Sequence, residues 1–274
     1  MRRRTQAKVS TPPGGSPVGW TLYSTALKCW RMFFLRYMMG LTTPTTPPEL
    51  LIGSIYHALM DGKDEGEIKS WGSEWVEHFQ TGKALYDERT RPERPPLPKV
   101  FVSEQTAEMP EGNTLHGRFT SKPDRIEGKG NQRSIREFKT AGTLHDADDL
   151  RWAIDGEVIG EMITTGVNDV TVDIITKGEQ TRVRQLQVTM TEKKRSAWLG
   201  LIEDLVLQIR HRVFEYERNP IEAAEDLHFP RSLPSCVSYG GTVCPFYTYC
   251  WTEGASKLLY KKKPNTAWRE RLLG

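Results

Sequence analysis

Residues 122–140, KPDRIEGKGNQRSIREFKT, decide the fold, because they hold two short β-type runs on either side of the turn-forming stretch EGKGNQR. Side chains alternate along a strand, so Glu137 and Lys139 leave the second run on one face, while Phe138 points back toward the core. If the two runs pair through that turn, Asp124 at the start of the first approaches the same patch. The sequence therefore predicts two carboxylates and one lysine converging on a sheet face.

That grouping suits phosphodiester cleavage. Two carboxylates can hold a hard divalent ion such as Mg²⁺ or Mn²⁺ with positions left for water and a phosphate oxygen. A fixed lysine beside them can orient the attacking water or balance charge as it develops. A solvated surface pair gives the same Glu-x-Lys spacing, so the motif alone does not decide. Two upstream residues add to it. His57, in GSIYHALM, lies on a predicted helix among Ile52, Ile55, Ala58 and Leu59. A histidine so placed is either packed or, near a carboxylate pair, a third ligand as neutral imidazole. Glu104, in VFVSEQ, is either an exposed strand carboxylate or a further acid for the same site.

Around this centre the periodicity predicts a mixed chain. A helix enters near Ser24 and ends at Gly40, a second begins at Glu49, and a third covers EIKSWGSEWVEHFQTGKALYDE. Short β-type runs then form an antiparallel meander. One helix follows over DADDLRWAIDGEVIGEMITTG, and DVTVDIITKG pairs with RVRQLQVTM as a hairpin. A long helix runs from Thr191 to about Arg218 with Leu201, Leu205 and Ile209 on one face.

The 274 residues suffice for a sizeable core. Hydrophobic residues at 37% and charged residues at 27% are ordinary for a globular protein. No apolar run approaches the roughly 20 residues of a membrane span, and no apolar segment follows the basic start, so the expected location is cytoplasmic. The net charge of +3, from 38 Lys+Arg against 35 Asp+Glu, announces no nucleic-acid partner by itself. The basic ends could track phosphates or be solvated tails.

Four cysteines remain. Cys236, Cys244 and Cys250 lie in CVSYGGTVCPFYTYC, and Cys29 lies far upstream in LYSTALKC. A cytoplasmic chain disfavours disulfides. Buried thiols, structural zinc and an iron–sulfur cluster all stay open on spacing alone. A shared metal would close a loop on the order of two hundred residues and staple the ends of the fold.

The order Gly-x-x-x-His, Glu, Lys-Pro-Asp-Arg-Ile and Glu-Phe-Lys-Thr resembles the RecB-type branch of the PD-(D/E)xK nucleases. The cysteines resemble those of its iron–sulfur members: the CRISPR-associated exonucleases, the AddB-type nuclease domains and related phage enzymes. LYSTALKC supplies the first cysteine and CPFYTYC the last pair, whereas seven residues separate Cys236 from Cys244, where the family often has two. The resemblance implies an α/β, restriction-endonuclease-like fold with a mixed central sheet flanked by helices, its ends tied by a four-cysteine metal cluster. It implies that His57, Asp124, Glu137 and the Phe138 carbonyl bind Mg²⁺ or Mn²⁺, with Asp124, Glu137 and Lys139 catalytic. It also implies that Cys29, Cys236, Cys244 and Cys250 hold a 4Fe-4S cluster. Where the family carries Gln-x-x-x-Tyr, this chain has Glu157 and Glu161, two acids that repel a phosphate unless they assist a second metal.

The domain reading is a disordered basic arm over 1–17, a nuclease domain over 18–256 and a basic tail over 257–274. The implied activity is metal-dependent, exonucleolytic hydrolysis of DNA in recombination, repair or phage DNA metabolism, with a helicase or recombination protein as a possible partner. A catalytically silent DNA-end-binding module and a zinc-stabilised scaffold are the alternatives.

Overall fold

The computed structural model describes residues 18–42, 48–60, 66–69, 75–81, 84, 99–103, 107–108, 119–129, 132–177, 181–219, 222–237, 243–251, 261–262 and 267–273. Glu104 and the 1–17 arm lie outside them. Nine strands are described: β1 Leu41–Thr42, β2 Lys99–Ser103, β3 Ala107–Glu108, β4 Thr120–Ser121, β5 Arg125–Lys129, β6 Gln132–Ala141, β7 Asp169–Thr176, β8 Val183–Thr189 and β9 Lys261–Lys262.

Five of them form the central sheet, in the order β2-β5-β6-β7-β8. The turn in EGKGNQR does close an antiparallel β5–β6 hairpin, with Arg125 opposite Arg136 and Lys129 opposite Gln132. β6 and β7 run parallel, with Glu137 opposite Val172 and Lys139 opposite Ile174. A parallel pair requires a crossover, and the helices Asp148–Ala153 and Gly156–Thr165 supply it. β7 and β8 form the expected hairpin.

Both faces of the sheet are covered, which explains the near-continuous apolar run of β7. Ile135, Val170, Val172 and Ile174 pack on one face against Val158 and Met162 of the crossover helix. Phe138 and Ile175 pack on the other against Ile55, Tyr56, Leu59 and Phe79. This is the α/β class expected, with a mixed sheet between helical layers.

A third core lies beside the sheet. The helix Glu192–Arg218, with Thr191 as its cap, buries Trp198, Ile202, Leu205, Val206, Ile209 and Val213. Leu201, expected on that face, sits at its edge and is only partly buried. Leu22, Tyr23, Phe33, Phe34, Phe229 and Trp268 complete this cluster.

Three local expectations need correction. The first helix begins at Trp20, and Ser24 lies inside it, its hydroxyl donating back to the Thr21 carbonyl at 3.3 Å. Cys29 interrupts that helix in an extended conformation (φ −165°, ψ 116°); Trp30–Phe33 and a π-helical turn Phe34–Met38 then carry the chain to Gly40, whose φ of 65° ends it as expected. The crossover is two helices, because the Asp155 carboxylate accepts from the N–H groups of Glu157 (2.9 Å) and Val158 (3.3 Å) and starts a new one. Within the segment expected as a basic tail, β9 pairs with β1 and the helix Ala267–Leu273 buries Trp268 and Leu272 completely. Arg210 secures that helix by donating from Nε to the Leu272 carbonyl at 2.7 Å. Among the described residues no helix is long and apolar enough to cross a membrane.

Candidate active site

The site forms where β5 begins and β6 passes beside it. Asp124 is locked twice to β6. Its Oδ2 accepts from the Phe138 N–H at 2.8 Å, and its own N–H donates to Glu137 Oε1 at 3.1 Å. The alternation deduced from the sequence holds: Phe138 is fully buried on one side, while Lys139 Nζ lies 2.9 Å from Glu137 Oε2 on the other. Arg125 reaches from β5 to the Met60 carbonyl at 2.6 Å, which ties the end of the helix Pro48–Met60 to this corner. That helix delivers His57, whose Nδ1 lies 3.0 Å from Asp124 Oδ1.

The helix Gly156–Thr165 adds the two acids. Glu157 accepts from Lys139 Nζ at 3.0 Å, and Glu161, only 2% exposed, hydrogen-bonds to Glu137. Glu157 and Glu161 are one turn apart, so they share a helix face, and that face meets Glu137 and Lys139. The Trp152 ring centre lies 6.0 Å from Lys139 Nζ.

Four carboxylates, one ammonium and one imidazole thus occupy one corner, and their ionisation follows. Burial works against the charged form of Lys139, but Glu137, Glu157, Asp124 and Glu161 outweigh it and hold its pKa well above the usual lysine range. Burial would raise Asp124, yet the His57 hydrogen bond and the nearby cations bring it below the ordinary aspartate value. Burial would lower His57, yet Asp124 raises it. Burial and then the neighbouring Glu137 push Glu161 well above the glutamate range.

The structure therefore brings His57, Asp124, Glu137, Phe138, Lys139, Glu157 and Glu161 together. As placed, no three His, Cys, Asp or Glu side chains among the described residues surround a single metal position. The donor set is nonetheless that of a hard divalent ion: two interlocked carboxylates with an imidazole alongside. Sequence reasoning missed Arg125 and Asp155 as the residues that position the site. Asp155, directly before Gly-Glu-Val, was visible as a helix-capping pattern.

The cysteines gather in a second place. Cys29 and Cys236 are buried, and Cys244 and Cys250 are partly buried against the third core. The Cys244 N–H donates to the Cys236 carbonyl at 2.8 Å, and Ser235 Oγ donates to the Lys28 carbonyl at 2.6 Å, which joins the C-terminal segment to Cys29. Burial first, with the charges of Cys29 and Cys236 adding to it, raises the Cys244 thiol. Burial pushes Cys250 up to about 11, against the pull of Arg31. Trp251 Nε1 donates to Cys236 Sγ at 3.2 Å. All four are free thiols, and Cys29 lies near enough for its charge to act on Cys244 and Cys250.

A protein family described as the PD-(D/E)XK nuclease superfamily matches residues 20–250. The chain belongs to that family and is with it a phosphodiester-hydrolysing nuclease; its mixed sheet flanked by helices fits the restriction-endonuclease-like architecture. Among solved structures, a candidate exonuclease from Eubacterium rectale is similar at 11% identity and a TM-score of 0.48, over 75% of this chain and 82% of that one. An alkaline exonuclease from Laribacter hongkongensis is similar at 13% identity and a TM-score of 0.34, over 73% of this chain and 97% of that one. No curated protein matches the chain.

Proposed function

We propose that the protein is a divalent-metal-dependent deoxyribonuclease that works from DNA ends, in recombination, repair or phage DNA metabolism. The observation that carries the reading is the interlock of Asp124 with β6, beside which His57 meets Asp124 and Lys139 meets Glu137. His57, Asp124, Glu137 and the Phe138 carbonyl would hold Mg²⁺ or Mn²⁺. That ion, when bound, supplies an acidified water and neutralises phosphate charge.

The chain's own residues do the rest. Lys139, kept protonated by its carboxylate neighbours, presents a fixed ammonium to a phosphate oxygen or to the attacking water. Asp124 and Glu137 keep fixed orientations because backbone N–H groups hold them. Glu157 restrains Lys139 from the solvent side. Family membership supports hydrolysis of phosphodiester bonds. Action at ends rests on the resemblance of the motif order to the RecB-type exonucleases. Labelled linear DNA degraded from its ends in Mg²⁺ or Mn²⁺, with closed circular DNA left intact, is the expected result; nicking of the circle overturns the end-dependent mode.

The same resemblance supports a 4Fe-4S cluster on Cys29, Cys236, Cys244 and Cys250, and the shared neighbourhood of the four thiols is compatible with it. Iron and acid-labile sulfide in protein purified without oxygen test that cofactor against zinc.

A further inference from the structure

The helix Glu192–Arg218 buries one side in the third core and turns another outward. Asp204, Leu207, His211, Phe214 and Arg218 are exposed, the two apolar side chains Leu207 and Phe214 by 50% and 58%. At 3.6 residues per turn these positions fall within an arc of about 80°, so they make one stripe. Their spacing alternates three and four residues, which is the spacing of a seam between two helices. The flanks of the stripe are already in use. On one side Arg210 donates to the Leu272 carbonyl at 2.7 Å and Glu217 pairs with Arg269. On the other, Arg212 donates to the His228 carbonyl at 2.6 Å. Apolar side chains scattered over a surface need no explanation. Here Leu207 and Phe214 instead share a seam, and an acid at one end and a cation at the other bracket them. Asp204 accepts from Gln208 at 2.6 Å and Arg218 lies 3.7 Å from Glu215, contacts along their own helix that leave both side chains in solvent.

We propose that this stripe is the interface of a two-fold homodimer in which the helix Glu192–Arg218 packs antiparallel against its copy. The occupant follows from charge complementarity. In an antiparallel pair centred near His211, Asp204 comes opposite the partner's Arg218, and Arg218 opposite the partner's Asp204. Leu207 then meets the partner's Phe214, and Phe214 the partner's Leu207. Such self-complementarity, in which residue i meets j and j meets i, is what a two-fold interface demands. A parallel pair would set Asp204 against Asp204 and Arg218 against Arg218, so the end charges select the antiparallel orientation. The apolar pair supplies the buried centre of the seam, and the ion pairs fix its register.

The test is analytical ultracentrifugation of the full chain from about 1 to 100 µM, with a thiol reductant present to exclude disulfide-linked species. Wild type should pass from the 31.3 kDa chain toward twice that mass as concentration rises. Asp204→Arg and Arg218→Glu each place like charges together at both ends of the seam, because the symmetry repeats every contact. Each should weaken dimerisation about tenfold or more. Both substitutions in one chain reverse both pairs and should restore association to near the wild-type level. Phe214→Glu, which puts a charge in the apolar centre, should remain monomeric throughout. Far-ultraviolet circular dichroism reports folding. Should the double variant not fold, an equimolar mixture of the two single variants, which also sets opposite charges at both ends, is judged in its place. Wild type that stays monomeric over the whole range leaves the stripe to some other occupant and overturns the proposal. A dimer that neither single charge reversal weakens lies on another face and overturns it too. Failure of the paired reversal to restore association overturns the antiparallel register.

Discussion

Asp124 and Phe138 are joined side chain to main chain at 2.8 Å, and the Asp124 N–H returns the link to Glu137 at 3.1 Å. One residue at the mouth of β5 thus sets the register of the acid–lysine pair on β6. Asp124→Ala leaves the Phe138 N–H without its acceptor and removes the partner of His57. The variant should lose about 1–3 kcal/mol of stability and all metal-dependent cleavage. Denaturant unfolding and a DNA degradation assay measure the two effects; full activity with unchanged stability would refute the interlock.

The buried acids make the metal-free protein sensitive to pH in two directions. Glu161 and His57 have raised pKa values when folded. Their stabilising contribution is present below their unfolded values and is lost as pH rises through the folded ones. Asp124 is lowered, so its contribution is present above the ordinary aspartate value and is lost as pH falls through the folded one. Tm of chelator-treated protein should therefore pass through a maximum on the acid side of neutrality. Glu161→Gln should flatten the fall toward higher pH, and an unaltered profile would contradict the raised pKa of Glu161.

Glycines in the crossover helix hold it against the third core. A Cβ on Gly160 would come within 2.6 Å of the Phe119 ring and 2.9 Å of Trp198, and a Cβ on Gly156 would strike the Trp20 ring. Gly160→Ala should cost about 1–3 kcal/mol by overpacking. It should also lower cleavage, because the same helix carries Glu157 and Glu161. Thermal unfolding beside an activity measurement will show whether the two losses travel together.

Glu157 is a half-exposed acid beside Lys139. Glu157→Gln removes one negative charge there while keeping an acceptor for the ammonium. DNA binding should tighten a few-fold at low salt, with the gain fading as salt rises. Weaker binding would mean that Glu157 works as a carboxylate, for instance toward a metal.

Much of the site was legible because strand alternation is a local rule. Glu137 and Lys139 had to share a face and Phe138 had to oppose them, whatever the rest of the fold did. The hairpin through EGKGNQR then brought in Asp124. What sequence reasoning lost was tertiary. Nothing local says that Trp268, in a segment rich in basic residues, fills a hole between Phe33 and Tyr37. Nor does periodicity reveal that Cys29 breaks its helix in an extended conformation. The helix split at Asp155 was missed although its capping chemistry was in plain view, because the apolar pattern runs on across it. Glu157 and Glu161 were placed on the correct helix, but their contacts with Lys139 and Glu137 depend on the crossover's path over the sheet.

The most direct test of the catalytic assignment is the cleavage of end-labelled DNA in Mg²⁺ and in Mn²⁺ by wild type and by Lys139→Ala, with folding verified by circular dichroism. The ammonium of Lys139 is held among the site's four carboxylates. Its loss should lower the cleavage rate by about two orders of magnitude or more while the fold persists. A folded Lys139→Ala protein that degrades DNA at the wild-type rate in both metals would contradict the account.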